Sequence, residues 1–314
     1  MKKPLVIITG PTAVGKTGLS IDFCKRINGS IVSCDSMQVY KMLDIGSAKI
    51  APEEMEGIPH YLIDVLDPKE NFNVAEFKDM ATAAVNDIYD KGRIPVLCGG
   101  TGFYIQAFLY DVDFSEACED EAYRESLLLV AKELGKEKLH EQLATVDPKS
   151  AESIHPNNLK RMIRALEYYH QTGKRISDHN ENAHKKDSPY NFLYFVINEE
   201  RSKLYERVDK RVDIMFENGL LGEIKSLKKY GCTAEMTSMQ GIGYKEPLTV
   251  IDTDFDEILL KDKIKQNTRH FAKRQLTWFR REKETEWINK EEFGYSDEAM
   301  IEYMIKRAKE KGIC

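Results

Sequence analysis

The octapeptide GPTAVGKT at residues 10–17 offers the clearest chemistry in the chain. It fits the pattern G-x-x-x-x-G-K-[ST] and lies between an apolar run and a helix-like segment, the context that this motif needs. Backbone N–H groups of such a loop turn inward around oxyanions, Lys16 supplies a positive charge, and the Thr17 hydroxyl can bind Mg²⁺. We predict a di- or triphosphate site in this phosphate-binding loop, which consists of Gly10, Pro11, Thr12, Ala13, Val14, Gly15, Lys16 and Thr17.

One carboxylate is a candidate partner for the bound phosphates. Hydrolysing NTPases and kinases normally carry an aspartate at the end of a second strand, close to the metal. The run that ends at Cys98 lacks one, Asp64 remains possible, and the clearest candidate is Asp35, directly after the run 30–33. Because ligand groups gather at the carboxyl ends of parallel strands, we expect Asp35 to face the phosphates as a general base or a metal-associated group. The alternative is that Asp35 only caps a helix.

Two further segments carry candidate substrate contacts. The glycine-rich turn 99–102 presents Thr101 to phosphate or substrate, although a tight turn before a helix at 103–109 explains the pattern equally well. Arg207 and Arg211 are four residues apart and share one helical face, so both are candidates for contacting phosphate oxygens. The alternative for the arginines is a solvated face with interspersed acidic residues.

The elements that must position these residues alternate between short β-branched runs and helical patterns. Strands are predicted at 4–9, 30–33, 61–65, 94–98 and 192–197. Helices are predicted at 19–27, 74–90, 123–134, 159–169, 202–217, 221–229 and 255–281. This alternation is typical of a parallel sheet covered by helices on both faces.

The alternation breaks between residues 114 and 190, where helical patterns and a polar stretch at 177–189 replace it. Because the fifth strand returns afterwards, a helical insertion into an α/β core explains the pattern better than a second sequential domain. We predict three segments: the first part of the core at 1–113, the insertion domain at 114–190, and a core continuation at 191–314 with the last strand and the C-terminal helices.

Composition limits the function classes. The 314 residues include 46 Lys+Arg against 52 Asp+Glu, a net charge of −6, which argues mildly against an unspecific nucleic-acid binder. The six cysteines form no C-x-x-C pair, so a zinc site is not expected. No apolar stretch approaches the ~18 residues of a membrane span, and we therefore expect a reduced, cytoplasmic protein.

Two local basic patches contrast with this average. The segment 261–283 holds nine basic residues and two acidic ones. Its basic face is expected to meet phosphates while an apolar stripe packs on the core, although a merely solvated cationic helix is the alternative. The basic face consists of Lys265, Arg269, Lys273 and Arg280, and the apolar stripe of Ile264, Phe271 and Trp278. The second patch lies in the predicted insertion and consists of Lys160, Arg161, Arg164, Lys174 and Arg175.

Five motifs together resemble the tRNA dimethylallyltransferases and follow the expected order through nearly the whole chain. They are GPTAVGKT at 10–17, DSMQVY at 35–40 with its continuation to 49, HYLID at 60–64, GGTGFY at 99–104 and AKRQLTWFR at 272–280. The resemblance implies an α/β fold, a P-loop NTPase-like parallel sheet with helices on both faces and a helical insertion domain. Small departures at Cys34, Gly102 and Phe103 leave the implied roles intact.

The resemblance also implies a reaction. A dimethylallyl group would pass from its diphosphate to the exocyclic amine, N6, of the adenosine 3′ of the anticodon in tRNA, with release of diphosphate. The phosphate-binding loop would then hold a leaving diphosphate, which explains the missing aspartate after the fourth strand, since nothing attacks phosphorus.

Roles follow from the same resemblance. Asp35 would be the general base, and Thr101 and Lys16 would be the other catalytic residues. The diphosphate would be contacted by Thr12, by an arginine at 207 or 211, and by a Mg²⁺ ion held near Thr17. The implied tRNA contacts are Asp35, Ser36, Met37, Gln38, Thr101, Arg124, Lys160, Arg161, Met162, Ile163, Arg164, Lys265, Arg269 and Lys273.

Other functions share part of this pattern. A nucleoside or metabolite kinase would use the same loop and Asp35, and an RNA-binding protein could use a nucleotide only as a switch. A free-nucleotide prenyltransferase also shares the loop, but the two basic patches favour a polyanionic acceptor. We expect a monomer that binds dimethylallyl diphosphate and the anticodon loop of tRNA and does not bind a membrane.

Overall fold

The computed structural model of the protein describes residues 2–112, 120–183 and 186–314. The chain divides into two compact units, one formed by Met1–Phe108 with Tyr190–Cys314 and the other by Leu109–Pro189. We call them the core unit and the insertion unit. The predicted boundary between residues 113 and 114 lies outside the described residues, as does Cys118.

A parallel sheet of six strands forms the centre of the core unit. The strands are β1 (Lys3–Thr9), β2 (Gly29–Ser33), β3 (His60–Tyr61), β4 (Ile94–Gly99), β5 (Tyr190–Asn198) and β6 (Thr285–Asn289), in the spatial order β3-β2-β4-β1-β5-β6. Residues Leu5 to Ile8 of the central strand β1 are completely buried, as expected for a strand covered on both faces. The predicted α/β fold class is confirmed.

Two strand predictions are wrong. The run 61–65 pairs with β2 only over His60 and Tyr61, because Leu62 and Asp64 adopt positive φ angles of 63° and 55° and the chain leaves the sheet. The strand at 192–197 is not the last one, since β6 follows it. Only Ile288 of β6 is fully buried, so this edge strand lacks the apolar run by which the other strands are recognised.

Thirteen helices are found in the described residues. The first part of the core unit contains α1 (Lys16–Ile27), α2 (Val74–Asp90) and α3 (Gly102–Leu109). The insertion unit contains α4 (Glu121–Glu133), α5 (Lys136–Val146), α6 (Pro148–Ser153), α7 (Leu159–Thr172) and α8 (Ile176–Ala183). The rest of the core unit contains α9 (Arg201–Glu217), α10 (Leu220–Tyr230), α11 (Lys245–Val250), α12 (Glu257–Phe279) and α13 (Asp297–Glu310). Among them, none is long and apolar enough to cross a membrane.

Local sequence explains where helix α2 begins. The Asn73 side chain accepts hydrogen bonds from the backbone of Ala75 and Glu76, and the Glu76 carboxylate accepts one from the Asn73 backbone N–H at 3.0 Å. This reciprocal capping satisfies N–H groups that the first helical turn leaves without partners. The buried face then repeats at helical spacing through Phe77, Ala81, Ala84, Val85 and Ile88.

The long basic helix α12 packs differently from the prediction. Its buried residues are Leu260, Ile264, Ala272, Gln275 and Phe279, whereas Phe271 and Trp278 of the predicted apolar stripe are only half-buried. A straight helix drifts from a strict seven-residue repeat, so the buried face moves away from the 264–271–278 line. The polar residue Gln275 therefore points inward.

The insertion unit has a core of its own, formed by Leu127, Leu139, Leu143, Met162 and Leu166 with neighbouring apolar residues. The polar stretch predicted at 177–189 begins as helix α8. The buried Asp147 joins this helix to α6, because its carboxylate accepts hydrogen bonds from the backbone and hydroxyl of both Ser150 and Ser177.

Candidate active site

The phosphate-binding loop connects β1 to α1 at the carboxyl edge of the sheet. Gly15 stands at the amino end of α1 with φ of 93°, a left-handed conformation that glycine adopts without strain. Nζ of Lys16 folds back over the loop and donates to the carbonyl oxygens of Gly10 and Pro11 at 3.0 and 2.8 Å. Burial lowers the pKa of Lys16 to about 8; the Arg211 guanidinium acts in the same direction, and Asp35 opposes it.

Asp35 follows β2 and caps a turn, not a helix as its alternative interpretation supposed. Its Oδ1 accepts hydrogen bonds from the backbone N–H groups of Met37 and Gln38 at 2.8 and 3.2 Å, which fixes the turn that begins here. Oδ2 has no hydrogen-bond partner among the described residues. One carboxylate oxygen thus stabilises the turn, and the other makes no hydrogen bond with the described residues.

Thr101 is brought next to Asp35 through the backbone of Cys34. The Cys34 N–H donates to the Cys98 carbonyl at 2.7 Å, and the Cys34 carbonyl accepts from the Thr101 N–H at 3.2 Å. Burial raises the pKa of the Cys34 and Cys98 thiols, so both stay protonated at neutral pH and neither is a thiolate nucleophile. The chemistry at this edge therefore depends on oxygen and nitrogen groups.

Gln275 is a site residue that sequence reasoning missed. Its Oε1 accepts from the Thr12 backbone N–H at 2.8 Å, and its Nε2 donates to the Gly100 carbonyl at 2.9 Å. The amide therefore links the phosphate-binding loop to the glycine-rich turn. A Cβ atom at Gly100 would overlap Nε2 of Gln275, so the glycine makes room for this link. The motif AKRQLTWFR contains this glutamine, but its basic residues dominated the prediction.

The two arginines of α9 occupy different parts of the site. Arg211 is half-buried beside Lys16 and Asp35, and it donates to the Ser47 carbonyl at 3.2 Å. Arg207 is exposed and pairs with Glu199, with Nε 3.5 Å from Oε2, while its guanidinium lies beside Gly15. Both arginines therefore flank the phosphate-binding loop.

A hydrogen-bond network that sequence reasoning also missed supports Arg211. The Glu223 carboxylate accepts from the backbone N–H groups of residues 44–46 at 2.7–3.1 Å and from the Tyr244 hydroxyl at 2.8 Å. The Tyr244 hydroxyl in turn accepts from the Ser47 N–H at 3.0 Å. The Ser47 carbonyl then receives Arg211 and, at 3.4 Å, the Gln38 side chain. Arg211 and Gln38 thus depend on the loop 44–47, which α10 and the completely buried Tyr244 hold in place.

The predicted basic face of α12 is largely paired with α9. Lys265 binds Asp213 at 2.7 Å, and Arg269 binds Asp209 at 2.5 Å. Lys273 is exposed and has no acidic partner in the part of the chain that the structure describes. Of these three predicted tRNA contacts, only Lys273 therefore presents an uncompensated charge.

The predicted contacts in the insertion unit also separate into two groups. Lys160 and Arg161 are exposed, whereas the side chains of Met162 and Ile163 are buried in the unit's core, which leaves only their backbone for the predicted RNA contact. Arg124 and Arg164 both bind the completely buried carboxylate of Glu167, at 2.8 and 3.0 Å. These two arginines stabilise the unit whatever else they contact.

The described residues contain no group of three His, Cys, Asp or Glu side chains that could hold a metal ion. Mg²⁺ at phosphate sites uses one or two protein ligands and completes its shell with water and substrate phosphates. Thr17 is exposed at the first turn of α1 and supplies a suitable hydroxyl. The residues present therefore fit a substrate-bound Mg²⁺ ion.

An α/β sheet whose carboxyl edge combines a phosphate-binding loop, a carboxylate and two arginines defines a class of enzyme that transfers groups from phosphorylated donors. Residues 38–282 match the family model described as IPP transferase. A tRNA dimethylallyltransferase from Lachnoclostridium phytofermentans is 52% identical over 311 residues, which cover 99% of each chain. The chain belongs to the IPP transferase family.

Solved structures agree with this assignment. The tRNA isopentenylpyrophosphate transferase from Bacillus halodurans aligns with a TM-score of 0.73 and 41% identity, over 99% of this chain and 98% of that one. A eukaryotic dimethylallyltransferase, solved acting on tRNA, aligns with a TM-score of 0.76 and 32% identity, over 91% of this chain and 74% of that one. The family predicted from the motifs is confirmed, and a prenyltransferase is favoured over a kinase.

Proposed function

We propose that the protein transfers a dimethylallyl group from dimethylallyl diphosphate to N6 of the adenosine 3′ of the anticodon in tRNA, releasing diphosphate. The observation that carries this proposal is the convergence of Lys16, Asp35 and Arg211 at one edge of the sheet in a member of the IPP transferase family. A loop that binds phosphates and a carboxylate with one free oxygen are the two parts that this reaction needs.

Asp35 serves as the general base. The exocyclic amine of adenine is a poor nucleophile because its lone pair is delocalised into the ring. As N6 bonds to the first carbon of the dimethylallyl group, the carbon–oxygen bond to diphosphate breaks and its electron pair leaves with the diphosphate. Oδ2 of Asp35 takes the N6 proton, a role worth about 10²–10⁴ in rate. Thr101, held one carbonyl away, is positioned to contact the same substrate atoms.

The leaving diphosphate gains negative charge as the bond breaks. Lys16, Arg211, Arg207 and the N–H groups of the phosphate-binding loop therefore stabilise the transition state more than the ground state. Mg²⁺, bound by Thr17 and the diphosphate oxygens, would add a positive charge at the same place. Lys16 must first exchange its two carbonyl partners in the loop for the diphosphate.

The tRNA side of the site uses the turn that follows β2. Ser36, Met37 and Gln38 sit beside the general base and are proposed to surround the target adenine. Extruding a base costs a few kcal/mol, and a base in the anticodon loop starts partly unstacked. The exposed Lys160, Arg161 and Lys273 are proposed phosphate contacts that position the tRNA. We further propose that the enzyme works as a monomer in the cytoplasm.

The decisive experiment incubates the purified protein with unmodified tRNA and labelled dimethylallyl diphosphate, followed by nucleoside analysis. The expected product is an adenosine carrying a dimethylallyl group on N6, with diphosphate released only when tRNA is present. The Asp35→Asn variant keeps the oxygen that fixes the turn and is expected to bind tRNA while losing turnover. Turnover of labelled ATP without tRNA, or unimpaired transfer by this variant, would overturn the proposal.

A further inference from the structure

Lys290 is a buried lysine at the carboxyl edge of the sheet. It directly follows β6, just as Glu199 directly follows the neighbouring strand β5, and the two strands run parallel with Asn198 beside Asn289. Because ligand groups of such sheets gather at this edge, β6 adds one more residue to the row that already holds the phosphate-binding loop and Asp35.

The side chain of Lys290 ends at the phosphate-binding loop. A Cβ atom placed on Gly15 would lie 3.1 Å from Nζ of Lys290 and 3.4 Å from a guanidinium nitrogen of Arg207. Two cationic groups thus converge on one glycine at the amino end of α1. Gly15 itself is exposed, so this side of the loop is accessible to a ligand.

The hydrogen bonding of this cluster is incomplete within the described residues. Lys290 is 6% exposed, yet its ammonium makes no hydrogen bond or ion pair with any described residue. Glu199 is also buried, and its Oε2 has an ion pair with Arg207 but no hydrogen bond. Burial lowers the pKa of Lys290 and the nearby Arg207 adds to this effect, while the carboxylates of Glu199, Asp297 and Glu291 oppose it. A largely desolvated lysine whose ammonium makes no hydrogen bond gains from a bound anion, which supplies the missing acceptors.

We propose that Lys290 is a fourth cationic ligand for the diphosphate, which it binds on the Gly15 side of the loop together with Arg207. Lys16 and Arg211 lie near each other and near Asp35. The inference rests on the proposed function for the identity of the anion. It explains why like charges are held together here: the site is preorganised for the charge of the leaving group rather than for its own stability.

The test compares the wild-type protein with Lys290→Met, which keeps a flexible side chain of similar length. Binding of inorganic diphosphate is measured by calorimetry, binding of tRNA by filter retention, and stability by the melting temperature. The dissociation constant for diphosphate is expected to rise about tenfold or more, as for loss of one charge-assisted hydrogen bond. Binding of tRNA should not change, and the melting temperature should stay equal or rise, because the removed charge is largely desolvated and makes no hydrogen bond with the described residues. Lys290→Arg should recover part of the affinity, and Lys309→Met, on the exposed side of α13, should change nothing.

The outcomes separate this inference from the proposed function. Unchanged diphosphate affinity in Lys290→Met overturns the role of Lys290 and leaves the proposed function standing. A lower melting temperature with parallel losses of diphosphate and tRNA binding also overturns it, because a purely structural lysine predicts that pattern. Failure of the wild-type protein to bind inorganic diphosphate would count against the proposed function itself.

Discussion

Gln275 and Thr12 are separated by most of the chain, yet the Gln275 side chain accepts the Thr12 backbone N–H at 2.8 Å. The same amide donates to Gly100, so α12 fixes the distance between the phosphate-binding loop and the glycine-rich turn. A rigid spacing matters here because misplacing reacting groups by a fraction of a bond length already costs rate.

Replacing Gln275 should therefore impair substrate binding more than folding. In Gln275→Leu the Thr12 N–H and the Gly100 carbonyl both lose their partner, a cost of about 1–3 kcal/mol shared between stability and site geometry. We expect the KM for dimethylallyl diphosphate to rise about tenfold, measured by steady-state kinetics. Gln266→Leu, on the exposed face of the same helix, is the matched control. An unchanged KM in Gln275→Leu would show that the link is dispensable.

Tyr244 offers a separate test of positioning. Tyr244→Phe removes only the hydroxyl that joins Glu223 to the Ser47 N–H, and should lower stability by about 1–3 kcal/mol in chemical denaturation. Because the Ser47 carbonyl holds Arg211 and Gln38, kcat/KM should fall as well. Tyr230→Phe, which removes an exposed hydroxyl bonded to Asp67, should affect neither quantity strongly. Loss of stability with full activity would separate this network from the site.

The sequence predicted those parts of the fold that local patterns encode. Strands β1, β2, β4 and β5 are short apolar runs, and most long helices carry clear periodicity, so both could be located. β6 could not, because its sequence Thr-Glu-Trp-Ile-Asn has a single fully buried residue. Because the sequence patterns do not predict β6, they also do not predict that Lys290 lies at the carboxyl edge of the sheet.

The same limit applies to the candidate site. The phosphate-binding loop and Asp35 are read from motifs, because each depends on residues adjacent in sequence. Gln275 and Tyr244 act through contacts that only the folded chain creates, and a buried polar residue on a basic helix has no periodic signal. The pairing of Lys265 and Arg269 with acidic residues of α9 was hidden for the same reason.

Lys16 gives the site a pH dependence. Its pKa is lowered by burial to about 8, so the ammonium is present below that pH and is lost as the pH rises through it. A diphosphate would favour the charged form, and binding at pH 8 should therefore take up protons. Calorimetry in two buffers of different ionisation enthalpy measures this uptake, and the dissociation constant should increase between pH 7 and 9. The Lys16→Met variant shows how much of the proton uptake comes from ionisation of the diphosphate itself. The same uptake in that variant would show that the proton does not bind to Lys16.

Lys265, Arg269 and Lys273 of α12 should differ in their effects on tRNA binding and on stability. Lys273→Ala removes a charge that has no acidic partner among the described residues, and it should weaken tRNA binding, lowering the slope of log affinity against log salt by about one. Lys265→Ala and Arg269→Ala break ion pairs to α9 and should mainly lower the melting temperature. Filter binding across a salt series and thermal melts measure both effects. Equal effects of all three variants on the salt slope would show that the ion pairs open when tRNA binds.

Glu167 should make the insertion unit sensitive to acid. Burial alone would raise the pKa of this carboxyl, but hydrogen bonds from Arg124, from the Asp120 N–H and from Arg164 bring it below the ordinary value of 4.5. A carboxyl with a lowered pKa stabilises the folded state above its unfolded pKa, and this contribution is lost as the pH falls below about 4.5. Hydrogen exchange in α7 should therefore accelerate between pH 5 and about 3 beyond the intrinsic change in rate.

Glu167→Gln is the matched variant for this prediction. The amide cannot ionise, so protection of α7 at neutral pH should fall by about 1–3 kcal/mol, and most of the pH dependence should disappear. Asp147, whose pKa is lowered by its bonds to Ser150 and Ser177 against the effect of burial, accounts for the remainder. Full protection of α7 from hydrogen exchange at low pH in the wild-type protein would contradict this prediction. It would show that the ionised Glu167 carboxylate does not hold Arg124 and Arg164 in place.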